Sequence, residues 1–223
     1  MASVFAQDSL FARTLDMLAS VAVVSMGLLL TAFPIVTFGA GLAAAYRVLI
    51  QLANDEGSHP WRTFWRIFRK SFRLSFLSWM CLLFLLALST YEMWILTNAE
   101  TSGLIDSSFF TLFLRSGIIA ALILLGIVAV WLFALLGQSA AQEGGHMRFM
   151  HILRLAVYAA FRYLPISLLA LALWVVPIIA AIAYPQIGVH LIFFYLVFIP
   201  GFTLYLISLI IGTKVRALSL HLQ

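Results

Sequence analysis

Charge is the scarcest property of this chain of 223 residues. Charged residues make up 9% of the sequence and hydrophobic residues 64%, with a mean hydropathy of +1.10. A typical soluble domain is about one quarter charged and about half apolar. So few polar side chains cannot cover a globule in water, and the composition therefore excludes a soluble fold. We predict a single integral-membrane domain over residues 1–223.

Paired cysteines and catalytic motifs are also missing. Cys81 is the single cysteine and lies in an apolar run, which excludes an internal disulfide and predicts a buried side chain. The sequence contains no P-loop, no GxSxG or GxGxxG motif and no HExxH or Cys/His cluster. His146 and His151 are spaced poorly for joint metal ligation. We therefore predict a non-enzymatic protein with no catalytic residue, cofactor site or metal site.

Long apolar runs predict an all-α, polytopic transmembrane helical bundle, because the period-two alternation of a membrane barrel is absent. Five runs are predicted as full spans: Met17–Phe33, Leu74–Ile95, Phe109–Leu136, Leu164–Tyr184 and Val189–Ile211. A tight turn is predicted at Pro185–Gly188.

A short helix is predicted at about Gly39–Ala53, after a helix break at Pro34. Its length of about 22 Å is less than the membrane core of about 30 Å. It therefore either crosses as a sixth span or only dips into the membrane. Gly39 and Ala43 are four residues apart, and small residues at this spacing let helix backbones approach closely in lipid. We assign Pro34 to the break and Gly39 and Ala43 to helix packing.

Basic residues fall on one side of this layout. That side holds Arg47, Arg62, Arg66, Arg69, Lys70, Arg73, Arg148, Arg154, Arg162, Lys214 and Arg216. The loop after Ile95 carries Glu100 and Asp106 and no basic residue. By the positive-inside rule we predict a multi-pass protein of the cell membrane with a cytoplasmic C-terminus. The side of the N-terminus depends on whether the short helix crosses.

The stretch HPWRTFWRIFRKSFR (His59–Arg73) combines basic and aromatic residues at helical spacing. One face carries Trp61, Phe64, Trp65, Phe68 and Phe72, and the other carries Arg62, Arg66, Arg69, Lys70 and Arg73. This pattern predicts a cytoplasmic interfacial helix that lies flat among anionic lipid headgroups. A docking surface for a cytoplasmic partner is the alternative. A nucleic-acid role is excluded, because Leu74 follows directly and enters the membrane. His146–Tyr163 is predicted as a second basic helix on the same side.

Glu92 and Arg115 are ionisable residues inside predicted spans, and such residues are hypotheses for function by default. Both fall in the outer leaflet on consecutive antiparallel helices. We predict that they form an ion pair that locks this helical hairpin. A polar ligand site that opens outward and unpaired snorkelling side chains are the alternatives.

Two segments, about 17–95 and about 109–184, share an order of helix break, basic helix and span. Phe72–Arg73 in the first corresponds to Phe161–Arg162 in the second. The pattern is that of a weak parallel internal duplication. Charge asymmetry and apolar composition alone would also make two such segments look alike.

A longer signature extends from Pro34 to Phe76. It contains Pro34, Thr37, Gly39 and Ala43, then Tyr46 and Arg47, then Phe64, Phe68, Arg69 and Phe72. This order resembles the bacterial YesL family, a domain of unknown function, and LRLAVYAAFRYLPISLLAL resembles its second block. The resemblance implies a small multi-pass bacterial membrane protein. Genes of the family often lie beside carbohydrate ABC-type uptake systems, which implies an accessory role in sugar import. No reaction or ligand site is implied.

Two functional hypotheses follow. The first is a non-enzymatic accessory protein that contacts the membrane subunits of a sugar transporter, besides lipid headgroups and a second copy of itself. The second is a stand-alone small-molecule transporter or channel with a polar pathway between the two halves. An interior cleft lined by polar side chains would favour transport, whereas a closed bundle would favour the accessory role.

Overall fold

The structure, a computed structural model, describes residues 10–54, 59–102, 109–142, 149–183 and 185–220. These residues form helices and turns, and none of them lies in a β-strand. The helices are α1 (Leu10–Ala32), α2 (Phe38–Leu52), α3 (Pro60–Thr101), α4 (Phe109–Ala141), α5 (Phe149–Arg162), α6 (Leu164–Ala183) and α7 (Pro185–Leu220). A 3-10 turn (Ile35–Thr37) joins α1 to α2. The predicted all-α class is confirmed.

Several of these helices are long and apolar enough to cross a membrane. Five segments of the described chain meet this criterion: α1, the 3-10 turn with α2, α3, α4 and the later part of α7. The bent pair α5 and α6 adds a sixth if it forms one span. The chain is therefore a multi-pass helical membrane protein, as its composition predicts.

The break between α1 and α2 is held by side-chain hydrogen bonds. The Thr37 hydroxyl lies 2.6 Å from the carbonyl oxygen of Thr31 and 3.1 Å from that of Pro34. The indole Nε1 of Trp79 donates to the carbonyl oxygen of Ile35 at 2.7 Å. These bonds satisfy carbonyl groups near the helix end, which have no partner within the helix.

The short helix α2 lies in the centre of the bundle. Eleven of its 15 residues are buried, and it packs against α1, α3, α4 and α7. A Cβ added at Gly39 would lie 2.5 Å from the Cβ of Trp79. On another side, the carbonyl oxygen of Ala43 lies against Gly137 of α4. Small residues therefore let two neighbouring helices approach α2 closely.

The first three helices run in alternating directions. Near the break, Gly41 of α2 lies against Thr31 of α1. At the opposite end, Ser20 of α1, Gln51 of α2 and Thr63 of α3 line one small cleft. The N-terminal part of α1, the end of α2 and the start of α3 therefore lie at the same end of the bundle, which we call the basic end.

The structure corrects the prediction of a separate helix that lies flat over His59–Arg73. α3 is one helix of 42 residues, about 63 Å long. Phe64 and Ile67 are each 1% exposed, and the Phe64 ring lies 3.0 Å from the position of a Cβ added at Gly27 of α1. The basic-aromatic segment is therefore the start of the spanning helix and packs along α1 and α2.

α5 and α6 meet at a bend of 97°. At this bend the Trp131 Nε1 of α4 donates to the Ser167 hydroxyl oxygen at 2.7 Å. The Ser167 hydroxyl lies 3.0 Å from the carbonyl oxygen of Tyr163 and 3.2 Å from that of Ala160. One serine thus connects α4, α5 and α6 at the corner.

Three local predictions are corrected. Pro185–Gly188 is the first turn of α7 instead of a tight turn, since proline is tolerated at a helix start. α4 continues past Leu136 to Ala141. Cys81 is exposed on the bundle surface instead of buried. The weak duplication of about 17–95 and 109–184 stays a prediction.

Candidate functional site

The basic face of α3 points away from the bundle. Arg62, Arg66, Arg69, Lys70 and Arg73 are all exposed. The opposite face is buried and consists of Phe64, Ile67, Ser71, Ser75 and Ser78. Of the aromatic face that the sequence pattern assigned to lipid, the bundle buries Phe64 and leaves Trp61 exposed. The cationic face is free to meet an anionic surface.

The aromatic residues of α3 contact one another along the helix. Ring centroids are 5.6 Å apart for Trp61 and Trp65, 5.2 Å for Trp65 and Phe68, and 5.5 Å for Phe68 and Phe72. The ring pairs are edge-to-face, a geometry that contributes about 0.5–1.5 kcal/mol beyond burial. Trp61 is 42% exposed, while Trp65 and Phe68 pack partly against the core.

Other basic residues lie at the same end of the bundle. Arg47 Nη1 of α2 donates to Gln138 Oε1 of α4 at 2.5 Å, which links the two helices. Lys214 of α7 lies with its Nζ 5.5 Å from the ring centroid of Tyr163. Arg154 and Arg162 of α5 are exposed. Arg148 lies outside the described residues. The basic end therefore collects cations from α2, α3, α5 and α7.

The predicted partner of Arg115 is wrong. Arg115 Nη2 lies 2.6 Å from Glu100 Oε2, and Glu92 is exposed without a salt bridge among the described residues. Arg115 and Glu100 are 31% and 24% exposed. The pair joins the end of α3 to the start of α4, so it does clamp the helical hairpin. Glu100 lies two turns beyond Glu92, because α3 continues to Thr101.

A cavity of about 230 Å³ lies between α2, α3, α4 and α6. Its aromatic lining consists of Phe38, Tyr46, Trp79, Phe133 and Trp174. The remaining lining residues are aliphatic or glycine, and no charged residue contributes. Gly126 and Ala129 of α4 lie beside the space, where larger side chains would fill it.

Three lining residues carry a side-chain polar atom: Tyr46, Trp79 and Trp174. The Trp79 N–H already donates to the carbonyl oxygen of Ile35. Tyr46 is 1% exposed, and its hydroxyl has no close hydrogen bond among the described residues. The Trp174 side chain is the polar group that approaches this hydroxyl. The cavity is therefore an apolar, aromatic space with a hydroxyl and an indole N–H at its wall.

Sequence reasoning missed this cavity and the Arg47–Gln138 contact. Tyr46 entered the sequence argument only as part of a family signature, and Trp79, Phe133 and Trp174 are ordinary members of apolar runs. The only available signal was the presence of large aromatic residues in runs that also contain Gly126 and Ala129.

Among the described residues, no group of three His, Cys, Asp or Glu side chains could hold a metal ion.

Residues 18–93 match the family model described as "Protein of unknown function, DUF624". DUF624 is the domain of the YesL family, and this segment is similar to it. The predicted resemblance is confirmed here, and the match includes the break at Pro34, all of α2 and most of α3. The second block that resembles the family, in α5 and α6, lies outside the matched residues. No curated protein and no solved structure matches the chain.

The matched segment supplies all of the basic face of α3 and part of the cavity wall. It supplies the whole basic face of α3 and three aromatic residues of the cavity, namely Phe38, Tyr46 and Trp79. The other wall of the cavity comes from α4 and α6, which lie outside the match. The cavity therefore lies where the matched segment meets the second half of the bundle.

Proposed function

We propose that this protein is a non-enzymatic accessory subunit of a carbohydrate ABC-type uptake system. The observation that carries the proposal is the nature of its interior. A sugar that crosses a membrane needs polar partners for its hydroxyl groups, because an unpaired buried polar group is strongly unfavourable. The cavity within the described bundle is lined by apolar and aromatic residues, and only Tyr46, Trp79 and Trp174 among them carry a side-chain polar atom. A role beside a conducting protein fits this interior better than conduction through it.

The choice of a carbohydrate system rests on the YesL resemblance. The structure adds two surfaces with which such a partner could be bound. The outer parts of α3 and α4 expose large apolar side chains, including Phe84 at 68% and Phe109 at 85%. The start of α3 exposes its basic face. The apolar surface suits a membrane subunit, and the basic face suits anionic headgroups or an acidic partner.

The proposal includes an orientation in the cell membrane. We place the basic end, and with it the C-terminus, in the cytoplasm by the positive-inside rule. Because α1 and α2 are antiparallel neighbours, the N-terminal part of α1 lies at this same end. This arrangement supports the alternative in which the N-terminus is cytoplasmic.

A pull-down in mild detergent at native expression tests the accessory role. We expect membrane subunits of a carbohydrate importer to co-purify with the protein. The double substitution Arg66→Glu and Arg69→Glu should weaken this association if the basic face contacts the partner, and leave it unchanged if that face contacts only lipid. Absence of any transporter subunit, together with sugar uptake by the purified protein in liposomes, would instead establish the stand-alone transporter.

A further inference from the structure

We propose that the cavity between α2, α3, α4 and α6 is a binding site for a flat, apolar ring that carries one hydrogen-bond acceptor. The site is independent of the accessory role, since it is argued from its own walls. Its volume of about 230 Å³ exceeds the roughly 150 Å³ of an engineered apolar cavity that takes up benzene. A fused pair of rings therefore fits the space.

The walls favour a ring over other apolar groups. Five of the lining side chains are aromatic: Phe38, Tyr46, Trp79, Phe133 and Trp174. Phe38 and Trp79 are already edge-to-face with centroids 5.2 Å apart, and Trp79 and Phe133 are 6.0 Å apart. Aromatic pairs prefer offset-stacked or edge-to-face contacts, and a planar ligand can make both with these walls.

The acceptor is inferred from Tyr46. Its hydroxyl is buried and has no close hydrogen bond among the described residues. The Trp174 indole approaches this hydroxyl and has only a donor. It can donate a hydrogen bond to the tyrosine oxygen but cannot accept one from the tyrosine O–H. A buried donor without an acceptor is unfavourable. A carbonyl or ether oxygen on the ligand would supply the missing acceptor.

The same small set of polar groups excludes a sugar as the ligand and argues against water as the sole occupant of the cavity. A sugar ring would leave most of its hydroxyl groups against apolar walls. One water could satisfy Tyr46 and Trp174 but would leave most of the volume empty. Entry is open to molecules dissolved in the bilayer, because the cavity is partly open and Val175 on its lining is 39% exposed.

The test is calorimetric titration of the full-length protein in lipid nanodiscs, with empty nanodiscs as reference. The probes are 2-acetylnaphthalene, which has an acceptor, and 2-isopropenylnaphthalene, in which a CH2 group replaces the carbonyl oxygen and no acceptor remains. We expect saturable binding of both, with 2-acetylnaphthalene about fivefold tighter because of one hydrogen bond. Tyr46→Phe should remove this preference while keeping saturable binding.

Two phenylalanine substitutions on α4 complete the design. Ala129→Phe fills the cavity and should abolish saturable binding, whereas Ala121→Phe places the same side chain on an exposed position and should not. If the heat measured with the wild-type protein does not saturate and depends only on the amount of lipid, the probes merely partition into the bilayer. That result would overturn the site. Equal affinity of both probes, unchanged by Tyr46→Phe, would overturn the acceptor. The tyrosine variant decides the proposal even if Ala129→Phe does not fold.

Discussion

At the scale of single residues, close contacts at glycine limit which side chains the bundle tolerates. Gly137 of α4 touches the carbonyl oxygen of Ala43, whereas Gly117 of the same helix has no atom within 4 Å of an added Cβ. We expect Gly137→Ala to destabilise the protein by about 1–3 kcal/mol through overpacking. Gly117→Ala should stabilise it by about 0.5–1 kcal/mol through helix propensity. Thermal unfolding in one detergent, followed by circular dichroism, compares them, and equal stabilities would contradict the packing.

The ion pair at the far end of the bundle is a second test at this scale. A double-mutant cycle with Arg115→Gln and Glu100→Gln should give a coupling free energy of about 0.5–1 kcal/mol, since both groups are partly exposed. The cycle of Arg115→Gln with Glu92→Gln should give none. Coupling to Glu92 instead of Glu100 would contradict the observed geometry.

The sequence predicted the exposure of single residues where helical spacing determines it, but it did not predict their contact partners. The exposed basic face of α3 follows from the spacing of Arg62, Arg66 and Arg69. The partner of Arg115 did not follow, because it depends on how many turns α3 continues beyond the membrane. The Tyr46 hydroxyl was unpredictable for a related reason, since its surroundings come from α3, α4 and α6.

At the scale of helices, α3 carries the most informative contrast. Phe64 is 1% exposed against α1, and Trp61, one turn earlier, is 42% exposed. Phe64→Ala should lower the free energy of unfolding by about 3–5 kcal/mol, the usual effect of emptying a core site. Trp61→Ala should lower it by about 1 kcal/mol, mainly through its ring contact with Trp65.

Denaturation of the two variants in the same detergent shows whether the start of α3 packs against the bundle or lies flat in the headgroups. A segment that lay flat in lipid headgroups would show a small and similar effect for both substitutions. That outcome would contradict the packing of α3 along α1 and α2.

Helix positions were well predicted where the sequence has a strong breaker. α2 was predicted as Gly39–Ala53 and is observed as Phe38–Leu52, because Pro34 ends the preceding helix. α6 was predicted from Leu164, where the bend begins. The errors concern continuity: Pro185 starts a helix, and Pro60 starts a helix that runs unbroken into the membrane span. Local sequence shows where a helix can stop but not whether its neighbours keep it straight.

At the scale of the whole molecule, the structure places the ends of the helices in two groups. The basic end holds the start of α3, the Arg47–Gln138 link and Lys214. The opposite end holds the Arg115–Glu100 pair.

With Cys81→Ser as background, Ser102→Cys should react with a membrane-impermeant maleimide in intact cells. Asp16→Cys and Thr213→Cys should react only after permeabilisation. Labelling of Thr213→Cys in intact cells would reverse the proposed orientation.

The central claim, an accessory role beside a carbohydrate importer, is tested most directly by photo-crosslinking in living cells. A photoreactive phenylalanine analogue in place of Phe84 lies on the exposed apolar surface of α3, and the same analogue in place of Phe64 is a buried control. The account predicts a crosslink from position 84 to a membrane subunit of a carbohydrate ABC-type importer and only internal crosslinks from position 64. Crosslinks from position 84 only to lipid or to a second copy of the chain would contradict it.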